Sequence, residues 1–116
     1  MAEAIARARF IRMAPRKLRL VADLIRGKTV EEARDTLAFT VKGAAPVLAK
    51  VLDSAVANAE SKAAETRQRI DADEMVIKKV IVNEGPTMKR LHFQPRGRAV
   101  RIRKRMSHIE LVISDS

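Results

Sequence analysis

The sequence has no cysteine, no tryptophan and no tyrosine, and aromatic residues make up only 3% of its 116 positions. Without cysteine the chain can form neither a disulfide scaffold nor a thiolate zinc site, which agrees with a reducing compartment. The scarcity of aromatic residues beside a hydrophobic content of 47% predicts a core of Ala, Val, Leu and Ile. The length is that of a single domain.

Long apolar runs are also absent. None is long enough to span a bilayer, and arginines interrupt the N-terminal apolar residues at Arg7, Arg9 and Arg12, so no signal peptide is predicted. We therefore expect a soluble, cytoplasmic protein without a membrane partner. No glycine-rich phosphate loop and no nucleophile constellation occurs, and so we do not expect an enzyme.

Metal-ligating patterns are missing as well. His92 and His108 are the only histidines, and their spacing matches no zinc motif. His108 is expected to be a core or hydrogen-bonding residue at the base of a hairpin. The acidic residues Asp71, Asp73 and Glu74 suit a solvated loop better than a magnesium site, since no partner residues lie near them in the sequence. We expect no metal and no cofactor.

Positive charge is present in excess, because 24 Lys and Arg face 14 Asp and Glu, giving a net charge of +10. The net charge is +6 over residues 1–30, −3 over residues 31–77 and +7 over residues 78–116. Clustered cations repel one another in the free protein, and phosphates that displace counterions relieve that repulsion. Both ends of the chain are therefore expected to contact phosphate, whereas the middle mostly does not.

Apolar periodicity predicts a strand over residues 4 to 12, followed by three helices. Pro15 fits the first turn of the first helix, which ends at Gly27 after an apolar stripe of Leu18, Val21, Ala22 and Ile25. Thr29 opens a capping box that starts a short helix through about Phe39, with Ala33, Leu37 and Val30 in its stripe.

The third helix is predicted to be the longest. Thr40 is its candidate cap, although Gly43 and Pro46 indicate that the start is kinked or later. Its core face repeats at three and four residues through Leu48, Val51, Leu52, Ala55, Val56 and Ala59. The polar stretch over residues 61–74 suggests a surface loop or a frayed extension.

The second half is predicted to be a β-hairpin. Residues 75–82 and 99–113 are rich in Val and Ile, and glycines and prolines punctuate the segment between them. By the strand period of two, the basic residues Arg101, Arg103 and Arg105 share a face with Ile109, Leu111 and Ile113. One strand therefore serves two environments, with the hairpin base on the helices and its distal part outside the globule.

The expected fold class is α+β, a small globule of three helices packed on a three-stranded antiparallel sheet, with a long protruding β-hairpin. The chain is expected to be one domain over residues 1–116. Its globular body would take residues 1–82 and 99–116, and the hairpin arm about residues 83–98.

Four segments closely resemble one known family. They are KLRLVADLIRG at residues 17–27, VLDSAVANAE at 51–60, VNEGPTMKR at 82–90 and GRAVRIRKRMSHI at 97–109. In order and spacing they resemble the bacterial form of universal ribosomal protein twenty-two of the large subunit, nearly end to end. The last segment is the most specific, because it combines Gly-Arg-Ala, a spaced basic run and Ser-His-Ile.

The resemblance implies a globule at the surface of the large ribosomal subunit near the exit of the nascent-peptide tunnel, with a hairpin that lines the tunnel wall. It implies binding to large-subunit (23S-type) ribosomal RNA and a role in early subunit assembly. The implied partners are this RNA, neighbouring large-subunit proteins and the nascent polypeptide, and no homo-oligomer is expected. The implied tunnel-lining tip is Thr87, Met88, Lys89, Arg90, Leu91, His92 and Phe93, with residues 95–98 on the returning side.

Candidate RNA-binding residues come from both basic ends. They are Arg7, Arg9, Arg12, Arg16, Lys17, Arg19, Lys78, Lys89, Arg90, Arg96, Arg98, Arg101, Arg103, Lys104 and Arg105. Arginine prevails in the C-terminal run, and its planar fork can bridge phosphates or stack on unpaired bases. The alternative for either run is a solvated strand or helix face.

Two other classes of protein share the charge. A free-standing nucleic-acid-binding module would carry a helix-turn-helix, RNA-recognition aromatics or a GXXG loop, none of which is present. A cationic membrane-surface protein would carry a basic amphipathic helix with a bulky apolar face, whereas the longest predicted helix is nearly neutral. Whether Met88 faces a tunnel lumen or fills a gap against RNA bases stays open.

Overall fold

The computed structural model describes residues 3–67, 69–94 and 98–115, and it describes residues 86–94 and 98–105 by their backbone alone. The elements in chain order are β1 (Glu3–Ile11), α1 (Pro15–Ile25), α2 (Val30–Phe39), α3 (Ala44–Thr66), a 3-10 turn (Ala72–Glu74), β2 (Val76–Gln94) and β3 (Arg98–Ser114). The expected α+β class is confirmed, because three helices pack on a three-stranded antiparallel sheet.

The sheet has the order β1-β3-β2, so β3 is its central strand. One face alternates into the core, as in the rung formed by the Cα partners Ala6, Leu111 and Val80, all of them buried. The helices cover this face, α1 against β2 and α3 against β1 and β3. Their predicted stripes are confirmed as core residues, including Leu18, Val21, Ala22 and Ile25 of α1 and Leu48, Val51, Leu52, Ala55, Val56 and Ala59 of α3.

The predicted boundaries of the first two helices are also confirmed. Pro15 is the first residue of α1, where a missing N–H removes no helical hydrogen bond. Gly27 follows its end with a φ of +81°, a left-handed conformation that glycine adopts without strain. The Thr29 hydroxyl accepts a hydrogen bond from the Glu32 N–H at 3.3 Å and thereby caps α2.

The predicted cap of α3 is wrong. Thr40 ends α2, and its hydroxyl donates to the Thr36 carbonyl at 2.6 Å, while Gly43 precedes the first residue of α3. The later start puts Pro46 third in the helix, within the first turn, where no intrahelical partner is lost. At the other end, residues 61–66 extend the helix, which agrees with the predicted extension rather than with the predicted loop, because Ala63 continues the buried stripe.

Strands β2 and β3 form one hairpin, from the pair Val76 and Ser114 to the pair Gln94 and Arg98. From Ser107 to Ser114, β3 pairs with both β1 and β2. The residues of β3 that precede Ser107 pair with β2 alone. We call residues 87–94 and 98–105 the ribbon, and the pair Glu84 and Ser107 its root. The radius of gyration is 17.5 Å, compared with about 13 Å for a compact chain of this length. The predicted long hairpin is confirmed, whereas the division into body and arm stays a prediction.

Helix side chains cover both outer edges of the sheet. On the β2 edge, Arg19 donates to the Val82 carbonyl from Nε at 3.2 Å and Nη2 at 2.9 Å, and Arg26 Nη2 donates to the Val80 carbonyl at 2.8 Å. On the β1 edge, Asn58 and Lys62 of α3 donate to the carbonyls of Ile5 at 2.9 Å and Glu3 at 3.2 Å. These donors satisfy edge carbonyls that would otherwise be open to another strand.

Replacing Arg19 with alanine should therefore destabilise the fold. The substitution removes two charge-assisted donors from the Val82 carbonyl, and we expect the free energy of unfolding to fall by about 1–2 kcal/mol. Arg16→Ala is the matched control on the same helix, and its effect should stay within about 0.5 kcal/mol. Urea unfolding followed by circular dichroism measures both. Equal losses in the two variants would contradict the anchoring role of Arg19.

Candidate nucleic-acid interface

The segment between β1 and α1 is held at the root of the ribbon. Ser107 is fully buried, and its hydroxyl donates to the Met13 carbonyl at 2.6 Å. Ile11 is also the Cα partner of Ser107. Arg12 lies between these two contacts, and α1 begins immediately after them at Pro15. The basic N-terminal part of the chain is therefore anchored at the point where the basic part of β3 leaves the body.

Four exposed cations follow one another along this part of the chain, and we call them the root cluster: Arg9, Arg12, Arg16 and Lys17. Within the described part of the chain, no hydrogen bond or ion pair engages their side chains. Arg16 and Lys17 lie in the first turn of α1, which has no acidic residue, whereas α2 has Glu31 and Glu32 in its first turn. Cations at a helix N-terminus oppose the helix dipole. An anion bound at this position would be stabilised both by these cations and by the positive end of the dipole.

The other candidate cations whose side chains the structure describes already have partners. Arg7 Nη2 forms an ion pair with Glu110 Oε1 at 3.3 Å, on the face of the sheet opposite the helices. Lys78 Nζ bonds Glu3 Oε1 at 2.6 Å. Arg19 anchors α1 to Val82 as described above. Charge alone did not distinguish these three residues from the root cluster.

The ribbon candidates are placed by backbone register only. Lys89 is the Cα partner of Arg103, and Met88 is the Cα partner of Lys104. Like charges opposite each other across an antiparallel pair are destabilising, so a polyanion would stabilise the ribbon. Register positions are also defined for Arg90, Arg98, Arg101 and Arg105, whereas Arg96 lies outside the described residues.

The residues predicted as the tip lie along the outgoing strand. Thr87 to Phe93 pair with residues 99–105, and Gln94 pairs with Arg98. Residues 95–97 lie outside the described residues. The proposed tunnel-lining role of residues 87–93 stays a prediction.

One residue at the root was missed by the sequence reasoning. Phe10 was counted only as a strand residue, yet β1 has a bulge between Ala8 and Ile11, and Phe10 occupies it with a φ of +58°. A left-handed conformation in a bulky residue costs about 1–3 kcal/mol. The Phe10 side chain is 60% exposed, so burial does not offset that cost. In the sequence, its position between Arg9 and Arg12 was the feature that could have indicated a functional role for Phe10.

His108 holds this bulge. Its Nδ1 accepts a hydrogen bond from the Phe10 backbone N–H at 3.1 Å, and the two rings meet at 89° with centroids 5.0 Å apart. The expectation of a hydrogen-bonding histidine at the hairpin base is confirmed. Gly85 leaves room for the imidazole, because a Cβ at this position would lie 3.2 Å from its Cε1 and Nε2.

The acidic residues lie mainly on the helix layer. Arg34 bridges two of them, with Nη2 3.4 Å from Asp53 Oδ1 and Nη1 3.2 Å from Asp73 Oδ1. Among the described residues, no group of three or more His, Asp or Glu could hold a metal ion. Within the same residues, no helix combines the length and the apolar character needed to cross a bilayer.

A three-helix, three-stranded body with exposed cations at the root of a basic ribbon defines a class of small basic α+β proteins suited to a polyanionic partner. A family model for ribosomal protein L22p/L17e matches residues 6–114. The chain therefore belongs to the ribosomal protein L22p/L17e family and is a structural, non-enzymatic protein of the large ribosomal subunit.

Two relatives match over nearly the whole chain. The large ribosomal subunit protein uL22 of Desulfitobacterium hafniense (strain Y51) is 50% identical over 113 residues, which cover 97% of this chain and 95% of that protein. The protein of the same name from Koribacter versatilis (strain Ellin345) is 46% identical over 113 residues, covering 97% of this chain and 68% of that protein. The family resemblance and the ribosomal location expected from the sequence are confirmed.

The pairing of Lys78 with Glu3 predicts a measurable titration. The hydrogen bond from Lys78 holds the pKa of the Glu3 carboxyl below its ordinary value. Nuclear magnetic resonance titration of the wild type and of Lys78→Met should therefore show a higher Glu3 pKa in the variant. Because unfolded Glu3 protonates at a higher pH, the pair stabilises the fold at neutral pH, and this contribution is lost as the pH falls through the folded pKa. An unchanged Glu3 pKa in Lys78→Met would contradict the contact.

Proposed function

We propose that this protein binds large-subunit (23S-type) ribosomal RNA through the root cluster and the ribbon. The observation that carries the proposal is the convergence of the two basic ends. Ser107 binds the segment after β1 to the strand that enters the ribbon, so that residues 9–17 and residues 98–105 can follow one RNA backbone. The RNA-binding residues are those predicted from the sequence, with Arg19 acting mainly as an anchor of the fold.

Phosphate is the ligand that would relieve the charge repulsion in the root cluster and the ribbon. The root cluster has no acidic partner among the described residues, and the ribbon register places Lys89 opposite Arg103. Each bound phosphate releases condensed counterions, which favours binding at low salt. Around α2, where Arg34 pairs with Asp53 of α3 and Asp73 of the 3-10 turn, the body is proposed to face neighbouring large-subunit proteins rather than RNA.

Family membership and the long ribbon support a proposed position within the subunit. The ribbon is proposed to line the nascent-polypeptide exit tunnel, with Thr87 to Phe93 at the wall, while the globular body lies near the tunnel exit. The core residues of the body lie outside the ribbon, and we propose that the body folds independently of it, which suits a protein that joins the RNA early in subunit assembly. The nascent chain is then a transient neighbour of the ribbon.

The root cluster is tested by removing two charges from it. Arg16→Gln with Lys17→Gln should lower the steepness of log affinity against log salt by about 1.5, since each phosphate contact contributes about 0.7–0.9. Lys42→Gln with Lys50→Gln removes the same charge from exposed positions on the helix side and should leave the slope unchanged. Filter binding to transcribed large-subunit RNA at several salt concentrations measures both slopes. Equal slopes for the two double variants would show that only net charge matters and would refute the interface.

The ribbon is tested by shortening it without changing its register. Residues 89–92 pair one to one with residues 100–103, so deleting both stretches leaves Met88 opposite Lys104 and Phe93 opposite Ala99. The ribbon becomes about 13 Å shorter, and the deletion removes Lys89, Arg90, Arg101 and Arg103. The free energy of unfolding of the body should not change, because its core residues lie elsewhere. The steepness of the salt dependence should fall by about 3.

Cryo-electron maps of large subunits that contain the shortened protein test the tunnel assignment. The expected result is a normal body near the tunnel exit and lost density at the tunnel wall. A tunnel wall identical to that of wild-type subunits would refute the placement of the ribbon. Unfolding of the body in the shortened protein would refute its independence.

A further inference from the structure

We propose that Phe10 is a stacking platform for one unpaired nucleobase of the bound RNA. The proposal rests on the RNA-binding function above and adds a site that charge does not reveal. The observation behind it is a phenylalanine that is exposed, held in a left-handed backbone conformation and placed among cations at the root of the ribbon.

The geometry of the ring leaves a stacking face open. Phe10 is 60% exposed, and the only ring in contact with it among the described residues is that of His108, at an interplanar angle of 89°. In a perpendicular contact one ring meets the other with its edge, so His108 covers at most one face of Phe10. A nucleobase can stack on the other face, as unpaired bases do on aromatic side chains in many RNA complexes.

The ring is held in place before any ligand arrives. The Phe10 N–H is bonded to His108 Nδ1 at 3.1 Å, and His108 packs against Gly85 on the neighbouring strand. All three strands therefore contribute to the position of the ring, through Phe10 on β1, His108 on β3 and Gly85 on β2. Backbone strain that the surrounding structure maintains at an exposed position indicates a function at that position.

The surroundings suit a nucleotide rather than a bare apolar group. Phe10 and His108 line an open cleft of about 310 Å³ together with Arg7, Arg9 and Asn83. Arg9 is available for a phosphate, and the Asn83 amide can both donate and accept at a base edge. Glu110, also in the cleft, is ion-paired with Arg7, so that its charge is balanced and it still offers an acceptor.

A second exposed phenylalanine shows that exposure alone does not make such a site. Phe39 is 84% exposed at the end of α2. It lies in the acidic middle of the sequence, and no ring contact joins it to another described residue. Phe39 is therefore the matched control for Phe10, because it has the same side chain and at least the same exposure but a different electrostatic environment.

The test compares Phe10→Leu, Phe10→Tyr and Phe39→Leu in the full-length protein. Leucine keeps apolar bulk and the backbone strain but removes the π-face, and tyrosine keeps the face. Affinity is measured for transcribed large-subunit RNA, for a short single-stranded oligoadenylate and for an RNA duplex of the same length. Phe10→Leu should weaken binding to the first two probes by about fivefold to tenfold, and it should not affect the duplex. Phe10→Tyr and Phe39→Leu should bind all three like the wild type.

Phe10→Gly separates a binding role from a structural one. Glycine adopts the positive φ without strain, so this variant should be at least as stable as the wild type in urea unfolding, yet it should bind single-stranded RNA as weakly as Phe10→Leu. A Phe10→Leu protein with wild-type affinity and an unchanged salt slope would overturn the stacking site and leave the proposed function standing. A wild-type protein without salt-dependent RNA binding would overturn both.

Discussion

The pairing of β3 governs both the stability and the charge distribution of this protein. From Ser107 to Ser114 this strand has β1 on one side and β2 on the other, and its residues Ile109, Leu111 and Ile113 are buried under the helices. Towards its N-terminus the same strand pairs with β2 alone. An isolated two-stranded ribbon is marginal in water, so we expect the ribbon to depend on the body at its root and on a ligand along its length.

Arginine has two different uses on α1, and position relative to the sheet edge decides between them. Arg19 and Arg26 lie seven residues apart, two helical turns, which brings both over the outer edge of β2, where the carbonyls of Val82 and Val80 lack a strand partner. Arg16 lies one turn earlier, in the first turn of α1, and its side chain donates to no strand carbonyl among the described residues. The guanidinium groups of Arg19 and Arg26, which cover the sheet edge, are chemically identical to that of Arg16, which is proposed to bind phosphate. Only the tertiary structure distinguishes them.

The predictable part of the fold depends on local signals. The stripes of α1 and α3, the Thr29 cap and the hairpin follow from periodicity and turn residues, and all are present. Thr40 was misjudged because its hydroxyl donates to the Thr36 carbonyl of α2, and α3 begins only at Ala44. The family resemblance identified the chain but could not reveal the Arg19 anchor or the Phe10 bulge. Both depend on contacts with residues more than 60 positions away in the sequence.

The strain at Phe10 and the repulsion at the root have the same physical consequence. In each case the folded protein carries an unfavourable term before it meets RNA, and the body tolerates both because its core is built elsewhere. A ring already fixed by His108 loses little conformational freedom when a base stacks on it, and cations already gathered by the Ser107 anchor need not be brought together. In the proposed complex, these unfavourable terms of the free state become selectivity. A double helix would satisfy the cations, but only RNA with an exposed base beside its backbone would also use the ring.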